Sequence, residues 1–316
     1  DANSRISLSN NDSGTSNTIF GKNAGASLDA GSNFNTFIGE NVADASLNDA
    51  THNVGIGYNA LTDLTSADRN VALGSGSMAN ITTGERNTAI GVDSLGASTN
   101  ADSCVAIGNY AMGGANSTAD GTIAIGRSSL SLLTSGLNLA VGFESGKTIT
   151  TGTQNTLLGY QAGLNINEGG RNTAVGHSAF GGSLDANGDE SFDNTFIGFS
   201  SGSGNWVTAV SNKNTAVGAY SMQGAMNGAL QNTAVGYNSL NAVTQGDNNV
   251  ALGINAGDSI TTGTKNVCIG QNTDPSAVGA NNQIVIGATA TGQADNSVTL
   301  GNADVTDVYM AQDSGA

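Results

Sequence analysis

The chain has 316 residues, of which 46 are glycine, one is proline and only 11% are charged, with a net charge of −16. With 38% hydrophobic residues, many of them alanine, and 5% aromatic, it lacks the large side chains of one thick globular core. Its nine Lys and Arg residues are scattered through an acidic chain, which excludes a phosphate-rich partner such as nucleic acid. The acidity is expected to keep an elongated surface soluble.

The first residues, DANSRISLSN, carry no signal-peptide pattern and no initiator Met, as expected for a processed product or a piece of a longer chain. No apolar stretch is long enough to span a bilayer, so membrane insertion is not expected. Residues 1–16 read as a lead-in. From 17 to 287 one unit recurs: a short apolar run closed by glycine, as in NTLLGYQAG, NTAVGHSAF, NTFIGFSSG, NTAVGAYSM and NTAVGYNSL. The closing glycine, Gly21 in the first unit and Gly287 in the last of this series, spans 266 residues in 15 intervals, a mean of 17.7. Such a period calls for a repeat architecture before any other reading.

The residue before each glycine is large and aliphatic or aromatic (Ile38, Ile90, Val175, Val235), and two residues earlier often stands Thr or Val. The residue between them is often Ala. Alternate residues of a strand face opposite ways, so each run is a short strand with a β-branched pair on one side. Because Val replaces Thr at 54, 71, 250 and 267, that side is expected to face the core. A second apolar position recurs four residues after the glycine, at Leu61, Met78, Leu95, Leu130, Phe180 and Leu240.

Four residues before the glycine stands Asn in 13 units, among them Asn35, Asn87, Asn172 and Asn232. Stacked coils would bring these amides into a ladder in which each donates to the next. The glycines themselves, including Gly39, Gly91, Gly176 and Gly236, are expected at a bend with positive φ or close backbone approach. Connectors such as TTGER (82–86), TTGTQ (150–154) and TTGTK (261–265) supply turns, and residues 288–316 form a terminal coil and tail.

A coil of about 17 residues cannot bury itself, but stacked coils can. The expected fold is all-β, a parallel β-roll or solenoid of short strands, about 70 Å long at roughly 4.8 Å per rung. Three or four large apolar side chains per coil make a thin core, so lateral association into an elongated homotrimer is expected.

The units NTAVG and NTAIG, and NSVTLG at 296–301, resemble the head repeats of YadA-like trimeric autotransporter adhesins, which implies parallel β-rolls packed as trimers. The longer form with NTAVGYNSL and the TTG connector resembles repeats of phage tail fibres. The stretch NSVTLGNADVTDVYMAQDSGA at 296–316 resembles the region upstream of an S74-type intramolecular chaperone, and an end at Ala316 fits the product of its self-cleavage. The resemblance implies a structural and adhesive fibre segment on a virion tail or a cell surface, attached to a host-surface glycan or protein receptor. The autotransporters' anchor and stalk are missing from the sequence, which favours a phage fibre over a complete bacterial adhesin.

Sites of chemistry are sparse. His52 and His177 stand in different units without ligand spacing around them, so no metal or cofactor is expected. Cys104 and Cys268 lie far apart and read as buried small residues. The acidic turn LDANGDE at 184–190 fails the EF-hand spacing and reads as a solvated loop. No Ser–His–acid arrangement is present, and nearly uniform coils leave no groove for paired carboxylates, so no enzyme activity is expected. The two longest coils, within 177–218, contain Phe192, Phe199 and Trp206, the sole tryptophan. These aromatics are candidates for receptor-binding loops, or else patch a local break in the roll. An ice- or surface-binding solenoid needs the threonine ladder outward, and the Val replacements speak against that.

Overall fold

In the computed structural model, residues 5–7, 14–114, 119–182, 190–206 and 209–308 are described, residues 5–7 by their backbone alone. The chain divides into two compact units, 1–178 and 179–316. In the first, Arg5–Ser7 runs antiparallel to Thr18–Gly21, and every later strand pairs parallel with its predecessor. The order runs through Thr36–Ile38, Val54–Ile56, Val71–Leu73 and Thr88–Ile90, then Val105–Ile107, Ile123–Ile125, Leu139–Val141, Thr156–Leu158 and Thr173–Val175. In the second, Thr195–Ile197, Thr215–Val217, Thr233–Val235, Val250–Leu252, Val267–Ile269, Ile284–Ile286 and Val298–Leu300 pair likewise. Each is thus a parallel β-solenoid in which one coil of about 17 residues stacks on the next in strict register.

Most strands have three residues, too short to stand alone. What fixes them is the coil above and below. Where Asn precedes a strand it is buried, and in most coils its Oδ1 accepts from the backbone N–H and from Nδ2 of the Asn one coil later. Asn172 donates to Asn155 in this way at 3.0 and 3.2 Å, and Asn155 to Asn138 at 3.0 and 3.1 Å. The remaining N–H of each amide reaches a connector carbonyl: Asn155 Nδ2 to Gly169 O at 2.9 Å, Asn232 Nδ2 to Gly246 O at 2.7 Å. Cys104 occupies the same position, where its backbone N–H bonds Asn87 Oδ1 and its thiol donates to Ala119 O at 2.7 Å, but it passes no amide onward.

The closing glycines carry φ between 130° and 144°, apart from Gly301 at 83°. At Gly91 (φ 134°) an added Cβ would lie 2.6 Å from the carbonyl carbon of Gly108 in the next coil. Both expected reasons for glycine therefore act together: a backbone conformation unsuited to L side chains, and contact between successive backbones.

The orientation of the strands corrects the sequence reading. Their burial runs partly exposed, buried, partly exposed in coil after coil, so the middle residue, usually Ala, faces the interior and the Thr/Val and Ile/Val/Leu pair faces out. The reason is room. Opposite the strand, the fourth residue after the glycine (Leu61, Met78, Leu95, Leu130) and the seventh (Leu64, Ile81, Leu133, Ile149, Ile166, Ile260) already fill the coil. Sequence reasoning missed the seventh position. Leu61, Met78, Leu95 and Leu130 take φ of 48–56° at the cost of about 1–2 kcal/mol each, which burial of such side chains, about 1.5–3 kcal/mol, offsets.

In most coils size is balanced between the inward strand residue and the fourth position, although Ala140 with Gly146 and Ala251 with Gly257 are both small. Where the inward strand residue is Ala72, Ala89, Ala106 or Ala124, the fourth position is Met78, Leu95, Met112 or Leu130. Where the strand residue is Ile19, Phe37, Leu157 or Phe196, the fourth position is Gly25, Ala43, Gly163 or Gly202. A Cβ on Gly163 would lie 2.7 Å from Leu157 Cδ2. Leu157→Ala is therefore expected to lower stability by about 2–5 kcal/mol and Gly163→Leu to lower it by overpacking. The double variant, which recreates the Ala124/Leu130 arrangement, is expected to recover much of the loss; strictly additive losses in thermal or denaturant unfolding would refute the exchange.

The ladder generates a second expectation. Asn155→Ala leaves buried partners on Asn138 and Asn172 unpaired and should cost about 1–3 kcal/mol. Asn155→Asp aims a carboxylate at the carbonyl oxygens of Gly169 and Asn138, so it should destabilise more at neutral pH and regain stability as the pH falls and the carboxyl protonates. Unfolding curves at pH 4 and pH 7 separate the two.

Candidate functional site

The outward strand face exposes a row of aliphatic side chains to water. Leu73 is 43% exposed, Leu252 48% and Ile90 36%, and equivalent residues repeat in successive coils of each unit. Parallel register stacks like on like: Thr156 beside Thr173, Leu158 beside Val175, and in the second unit Thr215 beside Thr233 and Val217 beside Val235. Aliphatic ladders of this extent exceed the isolated exposed side chains of ordinary surfaces.

Two flanks border this face. After the closing glycine comes an exposed or half-buried residue that is often aromatic. Phe143 stacks on Tyr160 (centroids 5.2 Å, planes 8° apart) and Tyr160 on His177 (4.7 Å, 16°), while the Arg127 guanidinium lies 5.5 Å from the Phe143 ring centre. In the second unit Phe199 and Tyr237 each meet Tyr220, the second residue after Gly218, edge to face. This column was visible in the repeated letters GY, GH and GF, but its stacking needs the coils' register.

The other flank is the residue before the ladder Asn, a left-handed position throughout. Here stand Phe34 and His52, stacked at 5.0 Å, and Arg69 and Arg86, which both reach Glu85, at 4.0 and 3.1 Å. Where Gly121 takes this place, an open hollow of about 210 Å³ forms, lined also by Ile123, Leu137, Leu139 and Gln154. The flank and the outward strand residues thus share one surface.

The acidic residues near this flank are already engaged. Asp68 Oδ1 accepts the Thr51 N–H at 2.6 Å, Asp102 that of Glu85 at 2.6 Å and Asp247 that of Leu230 at 2.8 Å. Asp295 accepts the Asn281 N–H at 2.8 Å, which holds its carboxyl below the ordinary range. In the second unit Asp258 is pushed up, first by burial and then by the neighbouring Asp274. Among the described residues no group of three or more His, Cys, Asp or Glu is placed to hold a metal ion. Residues 184–189 of the acidic turn lie outside the described residues.

The three loop candidates separate. Phe199 is exposed and Phe192 half-buried, but Trp206 is fully buried, with ring centres 4.6 Å from Phe180 and 5.6 Å from Phe196. Trp206 is thus a core residue and not a loop-tip platform: the longer coil folds its indole inward. Its Nε1–H has no partner among the described residues. His52 and His177 are exposed and stacked on aromatic neighbours, and Cys104 and Cys268 are free and buried.

Among the described residues no helix is long and apolar enough to cross a membrane. Compared with known protein families and with characterised proteins, the chain matches none.

Burial sets the chemistry of the sulfurs: desolvation pushes the Cys104 thiol up to about 11 and the Cys268 thiol to about 12. Both are expected to resist thiol reagents at neutral pH until the protein is unfolded, when two equivalents react. Trp206 fluorescence should be blue-shifted and shielded from iodide; rapid labelling of the native thiols or a water-exposed indole spectrum would contradict this burial.

Proposed function

We propose that the chain is a structural and adhesive segment of a surface fibre that assembles laterally as a homotrimer. The supporting observation is the outward ladder of Val, Ile and Leu, repeated in successive coils of each unit. Water contact with so much aliphatic surface is unfavourable, and pairing it with the same surface on identical chains removes it through closed symmetry. The acidic composition keeps the remaining surface soluble.

The longer repeat with NTAVGYNSL and the TTG connectors favours a phage tail fibre, while the units NTAVG and NTAIG keep the head of a bacterial trimeric adhesin as the rival. In either setting the fibre contacts a host-surface glycan or protein receptor, and the exposed Phe199 remains a candidate contact. The role is mechanical and adhesive rather than catalytic.

One observation favours a second reading. The threonines that begin many strands point outward, and Thr195, Thr215 and Thr233 stand in register. An ice- or surface-binding face uses such a ladder, although here the neighbouring ladder is aliphatic.

Light scattering decides between them. The fibre reading expects a mass about three times 31.3 kDa, and Leu73→Lys with Ile90→Lys should lower that mass without altering the far-ultraviolet circular dichroism. A wild-type monomer that depresses the freezing point below its melting point would replace the fibre with the ice-binding face.

A further inference from the structure

The amide relay joins most neighbouring coils of the first unit, and it lapses at one place inside the stack. Earlier in the chain, Asn87 donates to Asn70 Oδ1 through its main chain and its side chain, both at 3.0 Å. Later, Asn155 does the same to Asn138 at 3.0 and 3.1 Å. Between them stand Cys104 and Thr122, both fully buried. Cys104 reaches Asn87 Oδ1 by its N–H alone, at 2.9 Å, and Asn138 reaches Thr122 Oγ1 by its N–H at 3.4 Å, a long contact. Neither residue has an amide to pass on, and the sulfur of Cys104 is a weak acceptor.

A second column lapses at the same level. Ser77 and Ser94 share a hydroxyl contact at 3.0 Å, and Ser129 Oγ donates to Ser145 O at 3.3 Å. Ala111 takes the equivalent place between them and has no hydroxyl. The flank opens there as well. With no side chain at Gly121, the hollow of about 210 Å³ reaches Asn138 and Asn155, where the relay resumes. What still crosses the level is the backbone ladder of Val105–Ile107 with Ile123–Ile125 and the Asp120 carboxylate, which accepts the Asp102 N–H at 2.9 Å. Apolar packing is not reduced to match, since Ala106 with Met112 and Ala124 with Leu130 are buried as in neighbouring coils.

In a stack where each coil touches only its neighbours, stability is a sum of coil and interface contributions. The interface with the fewest bonds is then the first to open. We infer that the first unit carries a built-in opening point between Val105–Ile107 and Ile123–Ile125, where the stack parts reversibly from within while the coils on either side stay stacked. A uniform stack yields only by peeling from its ends; this one yields at a fixed internal level. The inference holds for one chain or for several side by side and does not rest on the lateral assembly.

Hydrogen exchange read by mass spectrometry on the full chain tests it. Backbone amides of 105–107 and 123–125 should exchange about tenfold faster, or more, than those of 71–73 and 156–158. Cys104→Asn with Thr122→Asn supplies the missing donors and acceptors and should slow the first two segments by about that factor, leaving 156–158 unchanged. Asp120→Ala removes the remaining side-chain contact and should quicken them further, which keeps the test decisive where the double variant fails to fold. Equal protection from 71 to 158 in the wild type overturns the opening point, as does protection that falls only toward the ends of the stack. A wild-type minimum at 105–125 that neither variant moves overturns its assignment to these side chains.

Discussion

The buried asparagine amide at the start of most strands is the interaction on which the coil stack depends. A strand of three residues supplies too few ladder bonds to hold itself, and a coil of about 17 residues closes no core. The amide carbonyl of one coil captures both the main chain and the side chain of the next, while its second N–H ties down the connector that returns the chain. Each such bond contributes about 1 kcal/mol net, yet each missing partner strands a buried polar group at greater cost. Stability is therefore distributed along the stack and is cooperative only between neighbours, as in other repeat proteins. The coils of Cys104 and Thr122 interrupt this relay, so the first unit carries two consecutive levels where the backbone ladder acts without the amide one.

Constraint from the stack explains the composition. Closing glycines lie on one another so closely that no side chain fits between coils. The interior admits roughly one large side chain at the strand or at the fourth position beyond the glycine, and a second at the seventh. Alanine dominates the inward strand position for that reason, and the chain's bulky aliphatic residues are displaced outward. Exposure of the aliphatic ladder is thus a direct consequence of a narrow coil.

The outward face also organises the polar residues around it. Arginines stand on the flank that precedes the strand, aromatic residues on the flank that follows, and several carboxylates are turned back to accept backbone amides of the preceding coil. Carboxylates engaged in this way serve the stacking of one coil on the next. The aromatic column of Phe143, Tyr160 and His177 is continuous over three coils, whereas the bulky group of Phe180, Phe196 and Trp206 is internal. Aromatic residues of nearly the same local sequence thus serve opposite purposes, according to which side of the strand or bend they leave.

By itself the sequence determined the period, the parallel register, the asparagine ladder and the place of the closing glycine. Each follows from a local property repeated at fixed spacing: amide hydrogen bonding, backbone freedom, or the two-residue alternation of a strand. Only the tertiary structure decided which alternate faces inward. Alternation has two phases, and Thr-Ala-Val fits either until the occupants of the coil opposite are known. Leu130 and Ile149, arriving from turns with no strand period, fill that space and turn the β-branched pair outward. For the same reason Trp206 could not be placed from its inserted coil alone, since only contact with Phe180 and Phe196 draws it inside. The interior is too small to hold every apolar residue the repeat supplies, and volume, which no single position records, chose which of them face water.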